Sequence, residues 1–387
     1  MTMRGLSLSA LAATLLLGCK DAAHETAPPP YELSLPPGFP APFIPADNPL
    51  SEPKIALGKS LFSDKRLSGN QTMACASCHL ADKAFADGKV TPTGATGDKV
   101  PRNSPGLFNV GYLSTLTWAN PTLTTLEAQV IVPLVNEHPV ELGISSLTRE
   151  ALARLGDDVE TRRAFQLAFP HEPDPVSIED VARAIASYER TLLSGRSPHD
   201  RATYDGDASA MSASAARGMD LFFSERTECY HCHSGFLFTT AVRTAGTVHL
   251  ESAFENTGLY NIDGMGAYPG DNVGLHEFTM DPGDMGRMRI PTLRNLTLTA
   301  PYMHDGSVAT LGNQVRLRAT LAKADRVVFT YVDATNVTGA QSVMHELVFA
   351  FGDGTLDRTE VYQAADGAAE TTGLHFIKAA APALGKE

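Results

Sequence analysis

The chain has 387 residues, long enough for two or three domains that each bury a core, and it carries 44 Asp and Glu against 31 Lys and Arg. A formal net charge of −13 leaves no basic stripe to meet a phosphate backbone, so nucleic acid is excluded as a partner and small basic proteins are favoured.

From the start, Met1 to Leu17 reads as an export signal: Arg4 supplies the positive end, and Leu6 to Leu17 form an apolar run too short to span a bilayer. It ends at Leu16-Leu17-Gly18-Cys19, which resembles the lipobox of bacterial lipoproteins. Residues 1–19 are therefore expected to be signal peptide and anchor, with Cys19 lipidated and the protein periplasmic, tied to the membrane only through that lipid. A plain signal peptide cleaved nearby is the alternative. Residues 20–50 are rich in proline, including Pro28-Pro29-Pro30 and Pro36-Pro37-Gly38, and are predicted to be an extended tether.

Folding proper begins at Ser51, a candidate N-cap followed by Pro53, with Ile55, Leu57, Gly58, Leu61 and Phe62 at helical spacing. This helix holds Ala56-Leu57-Gly58-Lys59-Ser60-Leu61-Phe62, and the same A-x-G-x-x-L-F pattern returns at Ala216 to Phe222. Each copy shortly precedes a C-x-x-C-H motif: Cys75-Ala76-Ser77-Cys78-His79 and Cys229-Tyr230-His231-Cys232-His233.

Two thiols at this spacing add to the two vinyl groups of one haem, and the adjoining His lies beneath the iron as axial ligand. An exported protein normally spends cysteine on disulfides, yet beyond Cys19 every cysteine is used by these two motifs. Zinc is the rival reading, since C-x-x-C is half of a zinc site and His231 could join the second. Two identically ordered motifs, each ending in His, favour two covalently bound c-type haems. The repeat predicts two related cytochrome c-like domains.

Between the motifs, Thr148 to Leu155 is predicted to be a short helix. Ser177-Ile178-Glu179-Asp180 opens a longer one with Ile178, Val181, Ala182, Ile185 and Leu192 on one face. Residues 51–195 are assigned to the first domain, with Ser194 to Met211 as the connection, and 196–318 to the second. A long glycine-bearing loop follows His233 and ends at Arg289-Ile290-Pro291-Thr292-Leu293-Arg294-Asn295. Residues 319–387 are read as a divergent tail in which Val327 to Val332 looks like a strand. The expected fold is mainly α: two packed cytochrome c-like haem domains, long loops, and a β-containing C-terminal segment of unassigned role.

Pro101-Arg102-Asn103-Ser104-Pro105, the lone Trp118, Ala184 to Leu192, the second haem motif, and Pro291-Thr292-Leu293-Arg294-Asn295 running to Ala300-Pro301-Tyr302-Met303-His304-Asp305-Gly306 resemble the bacterial dihaem cytochrome c peroxidase and MauG superfamily. Thr117-Trp118-Ala119-Asn120-Pro121, Glu137-His138-Pro139-Val140-Glu141-Leu142 and Gly258-Leu259-Tyr260-Asn261 look closest to its methanobactin-associated branch, whose best-known member oxidises a tryptophan on a partner protein to kynurenine.

The resemblance implies that the haem on His79 is the peroxide site and the haem on His233 the electron-transfer site. In classical peroxidases a distal His blocks the first iron; counting back from Pro101, its position here holds Ala95, among Thr93, Gly94, Thr96 and Gly97. The implied iron is five-coordinate and open to hydrogen peroxide. By the same resemblance Glu141 is the distal acid/base, with Glu137 a second candidate, and Gln129 and Pro133 line the pocket. Trp118 is implied to bridge the haems by brief oxidation. Asn103 and the carbonyls of Thr299 and Pro301 are implied to hold one calcium ion. The family's sixth ligand to the second haem falls on Arg318, a poor iron ligand, which leaves Met303, Met285, Met288, Tyr331 and Met344 open as substitutes.

The expected function is hydrogen-peroxide-dependent oxidation of a Trp-like residue on an exported partner protein through a high-valent two-haem state. Two alternatives remain: a cytochrome c peroxidase that detoxifies peroxide with electrons from a small cytochrome c or copper protein, and a non-catalytic dihaem electron carrier.

Overall fold

A computed structural model of the chain describes residues 31–250 and 253–311 and the strands at 326–333, 343–352 and 355–364. The export signal, Cys19, the start of the tether and Arg318 lie outside the described residues.

The first half contains α1 (Glu52–Phe62), α2 (Leu126–Val135), α3 (Thr148–Gly156), α4 (Val159–Ala168) and α5 (Ile178–Glu189). Ser51 stands at the N-cap of α1 in extended conformation, but its hydroxyl makes no capping bond; Pro53 in the first turn supplies the start, where a missing N–H costs nothing. In α5 Ser177 caps the first turn, with Asp180 N donating to Ser177 Oγ at 3.1 Å and that hydroxyl donating to Asp180 Oδ2 at 2.8 Å. The helices pool Leu57, Leu61, Leu126, Val130, Leu134, Leu155, Phe165, Val181 and Ile185 in one buried core. At the centre α1 meets α5 backbone to backbone: a Cβ on Gly58 would lie 1.9 Å from the carbonyl oxygen of Ala184. The glycine of A-x-G-x-x-L-F is there because no side chain fits.

The connection expected over Ser194 to Met211 is more ordered than its composition predicts. It contains α6 (Pro198–Tyr204), started by a reciprocal capping box in which Ser197 N donates to Asp200 Oδ2 at 2.8 Å and Asp200 N to Ser197 Oγ at 3.2 Å. Asp200 then accepts two bonds from Arg294, at 2.7 and 2.9 Å, both side chains being buried. Beyond lie α7 (Ala213–Phe222), which carries the second A-x-G-x-x-L-F, and the short α8 (His276–Thr279). The glycine-bearing loop is closed by β1 (Phe254–Glu255) pairing antiparallel with β2 (Met288–Arg289). In the tail the expected strand is β3 (Arg326–Asp333), joined by β4 (Val343–Gly352) and β5 (Thr355–Ala364) in an antiparallel meander of order β3-β4-β5.

A second internal repeat accompanies the first. Pro105-Gly106-Leu107-Phe108-Asn109 and Pro291-Thr292-Leu293-Arg294-Asn295 share P-x-L-x-N, and both asparagines adopt left-handed backbone (φ 63° and 61°) before a single 3-10 turn. The copies meet at Ser194: its N–H donates to Asn109 Oδ1 at 2.9 Å and its hydroxyl to Asn295 Oδ1 at 3.1 Å.

Candidate dihaem active site

Each C-x-x-C-H motif opens with a 3-10 turn, Cys75–Ser77 and Cys229–His231, in which the second cysteine N–H bonds back to the first cysteine carbonyl at 3.1 and 3.3 Å. The turn holds both cysteines on one short stretch of backbone, with the His directly after it. His79 Nδ1 lies 2.7 Å from the Phe85 carbonyl and His233 Nδ1 2.9 Å from the Phe238 carbonyl. A carbonyl only accepts, so the proton sits on Nδ1 and the Nε2 lone pair is free for a metal, oriented by the second bond. Both accepting phenylalanines have positive φ, 64° and 54°, which turns their carbonyls back toward the histidines. Burial holds both imidazoles below their ordinary pKa, so each is the neutral base a metal requires.

Phe62 of α1 packs 6.3 Å from the His79 ring and edge-on to Phe85 and Tyr188, so the apolar core braces the imidazole. Neither cysteine pair belongs to a metal-sized cluster among the described residues; the group that does is Glu225, Glu228 and His231, all exposed. Paired thiols in one turn with an oriented neutral imidazole fit a covalently held haem at each motif. When bound, haem iron supplies redox chemistry and a coordination position for small oxygen ligands.

Above the first motif, backbone hydrogen bonds gather the expected distal residues. Gln129 and Pro133 lie one turn apart on α2, both half-buried. Leu142 N donates to Pro133 O at 2.8 Å, and Ala95 N to Glu141 O at 2.7 Å, which draws Glu141 and Ala95 to the end of that helix. The approach is close enough that a Cβ on Gly94 would lie 1.9 Å from the Val140 carbonyl oxygen. Burial raises the Glu141 carboxyl above its ordinary pKa. It also pushes the Cys75 thiol up to about 12 and the Cys78 thiol up to about 11, with the Glu141 charge adding to both. Glu137, by contrast, is exposed on the turn closed by its bridge to Val140.

Trp118 is clamped from both halves. Its indole Nε1 donates to the Asn103 carbonyl at 2.7 Å, and its own carbonyl accepts from Arg289 N at 2.7 Å. The buried Arg289 guanidinium sits 5.7 Å from the ring and donates to Thr117 O at 2.9 Å. Asn103 N donates to the His304 carbonyl at 2.7 Å, which sets Asn103 beside the turn that follows Thr299 and Pro301. Its Nδ2 donates to Lys89 O at 2.8 Å, leaving the side-chain oxygen as a hard ligand atom.

Around the second motif, Arg294 donates to the Phe236 carbonyl at 2.6 Å and lies over the Phe238 ring, so the Asp200 ion pair buttresses the loop that orients His233. Of the ligand substitutes, Met288 is buried on β2, Met285 is half-buried beside it, and Met303 occupies a turn at φ 70°. Tyr331 and Met344 lie on the β3 and β4 backbones.

Sequence reasoning missed several polar groups at the site. Glu189 follows the core face of α5 and is 5% exposed; burial raises its carboxyl to about 8, and its charge is felt at Cys75. Its neighbour Arg190 binds Glu127 at 2.6 and 2.9 Å. Tyr260 donates to Asp305 across 45 residues of chain. An acidic residue at the end of an amphipathic helix was the available signal for Glu189; no local pattern marks the other pairs.

The family model of di-haem cytochrome c peroxidase matches residues 52–209. The chain is 34% identical over 303 residues to the methylamine utilization protein MauG of Methylophilus methylotrophus, covering 78% of this chain and 82% of the relative. It is 32% identical over 270 residues to the cytochrome c551 peroxidase of Pseudomonas aeruginosa, covering 70% of this chain and 72% of the relative. Among solved structures, a MauG-like protein associated with microbial copper homeostasis superposes with a TM-score of 0.70 at 47% identity, over 73% of this chain and 80% of that one. With two oriented haem-attachment motifs on this fold, the chain belongs to the di-haem cytochrome c peroxidase and MauG family of oxidoreductases and carries two c-type haems.

Proposed function

We propose that the protein is a MauG-like oxidant: it takes two electrons from a residue of a partner protein, Trp-like in chemistry, and passes them through both haems and Trp118 to hydrogen peroxide. The observation that carries this reading is Ala95. By the family resemblance it falls at the position of the blocking distal His; its backbone N–H donates to the Glu141 carbonyl at 2.7 Å, and its methyl side chain cannot ligate iron. Peroxide then needs only a proton carrier. The Glu141 carboxylate accepts the proton from the inner peroxide oxygen and returns it to the outer one, and the desolvation that raises its pKa suits that exchange. Gln129 and Pro133 shape the space above.

Asn103 with the carbonyls of Thr299 and Pro301 is proposed to hold calcium beside Trp118, and Cys19 to anchor the protein on the periplasmic side of a membrane. The 47% identity to a MauG-like protein associated with microbial copper homeostasis supports a role connected with copper homeostasis.

The test is to add peroxide to the fully ferric protein and follow its optical and EPR spectra. A long-lived two-electron-oxidised protein is expected, lost or much shortened in Trp118→Phe. Ferric protein that ignores peroxide, or a Trp118→Phe variant with wild-type lifetime, refutes the proposal. Rapid turnover with reduced cytochrome c would place the protein among the detoxifying peroxidases instead, and two low-spin, unreactive haems would make it an electron carrier.

A further inference from the structure

Trp118 is one ring of a larger cluster. Its indole lies edge-on to the imidazole of His304, with centroids 6.4 Å apart. The same imidazole meets Tyr260 at 6.4 Å and Tyr268 at 6.2 Å, and the two phenol rings are 5.4 Å apart. His304 is 3% exposed, and its Nε2 has no hydrogen-bond partner among the described residues. Buried with Nε2 unpartnered, it is a neutral ring filling the space between indole and phenols. Contacts of this size give short tunnelling steps from Trp118 outward.

The two tyrosines differ in what happens to a proton. A phenol that loses one electron becomes a strong acid, so oxidation proceeds at accessible potentials only where a base takes the proton in the same step. Tyr268 donates to Asn256 Oδ1 at 2.6 Å, and a neutral amide is too weak a base. Tyr260 donates to Asp305 Oδ2, a carboxylate whose other oxygen is fixed by Ser307 N at 3.0 Å. Tyr230 also donates to a carboxylate, Glu225, but that carboxylate is exposed, where water competes for it, and the Tyr230 ring packs on His231 rather than on the cluster around Trp118. Tyr260 is half-buried, while Ile262 and Met265 on the same loop are 64% and 87% exposed, so the phenol lies just beneath a surface that a partner can reach.

We propose that Tyr260 and Asp305 form a proton-coupled redox relay between Trp118 and the partner. Peroxide, reduced at the haems, is the oxidant. One electron leaves the Tyr260 phenol to refill oxidised Trp118, the phenolic O–H bond breaks, and the proton passes to Asp305 Oδ2. A neutral tyrosyl radical and a protonated Asp305 remain. An electron from the partner residue then reduces the radical as Asp305 returns the proton. The second oxidising equivalent of the peroxide repeats the cycle. This relay rests on the proposed function above.

The test uses the full-length protein with both haems, oxidised with one equivalent of peroxide without partner, frozen at intervals and read by EPR. Parallel optical spectra record whether the haems have reacted. A tyrosyl signal is expected whose hyperfine structure collapses when the protein carries ring-deuterated tyrosine. It should be lost in Tyr260→Phe, and also in Asp305→Asn, where the phenol remains but its base is gone. It should persist in Tyr268→Phe and Tyr230→Phe. Haems that react while the signal is absent, unchanged in Tyr260→Phe, or lost in Tyr230→Phe instead, overturn the relay and leave the proposed function standing. Haems that do not react overturn both.

Discussion

Replacing Gly58 by alanine tests whether the contact between α1 and α5 is what the A-x-G-x-x-L-F repeat encodes. The added Cβ would sit 1.9 Å from the Ala184 carbonyl oxygen and 2.4 Å from its carbon. Both atoms are backbone, so no rotamer change relieves the clash and the helices must part by more than 1 Å, roughly, at their crossing. Overpacking of this kind costs about 1–3 kcal/mol, and separation weakens the dispersion contacts of Leu57, Leu61 and Ile185 as well. Alanine returns about 1 kcal/mol of helix propensity. The expected net loss is about 2 kcal/mol, a fall in urea midpoint of about 1 M at an unchanged slope. Because Phe62 at the end of α1 braces His79, the His79 haem spectrum should broaden in the folded variant. Ser60→Ala, on the exposed face, is the control. A Gly58→Ala midpoint within about 0.2 M of wild type would refute the close crossing as the reason for the glycine.

Glu141→Gln is expected to slow the reaction of ferric protein with peroxide by about 10²–10⁴-fold in stopped-flow, whereas Glu137→Gln should leave it nearly unchanged; the reverse order would move the acid/base role to the exposed turn. Glu141 must be ionised to accept the proton and burial raises its pKa, so the rate should rise with pH through a midpoint above the ordinary glutamate value of 4.5. The pKa of Asp200 is shifted the other way, although its effect also grows with pH. Despite burial, the hydrogen bonds from Arg294 and Ser197 hold it down at about 2, so its contribution is present above pH 3.8 and lost as pH falls toward 2. That contribution is on the order of 2 kcal/mol. Asp200→Asn should cost more, about 3–5 kcal/mol, because it strands a buried guanidinium. Acid and urea titrations of the two proteins check both figures, with the signal of the His233 haem as the local probe.

Local chemistry made part of this molecule legible before its structure. The C-x-x-C-H spacing already dictates a turn with two thiols and an axial His, and the faces of α1 and α5 follow from apolar periodicity with Pro53 and Ser177 marking their starts. What escaped is mostly non-local. The Asp200–Arg294 pair joins residues 94 apart, and without it the Ser194 to Met211 stretch, full of Gly, Pro and Asp, reads as linker. α2 escaped because its apolar residues run on all sides and Pro133 interrupts it, so no helical period stands out. α4 carries an N-cap at Asp158 that could have been found. The P-x-L-x-N repeat was visible too, but its meaning depends on Ser194 lying between the two asparagines.

A lone tryptophan is ordinarily a packing residue, and Trp118 does pack; what separates it from a filler is how it is held. The indole N–H is committed to a carbonyl of the first half, the Trp118 carbonyl to an N–H of the second, and the ring is flanked by Arg289 and His304. Packing alone would be served by any large ring. Holding the residue by its indole N–H on one side and its backbone carbonyl on the other fixes its distance to each half of the protein, and a one-electron carrier depends on that distance. Phenylalanine at 118 keeps an aromatic ring but loses the Nε1 bond and the low oxidation potential. If the role is packing, Trp118→Phe alters stability and spares the oxidised state; if the role is electron transfer, it spares most of the stability and abolishes the oxidised state. The two readings thus separate on different observables of one variant.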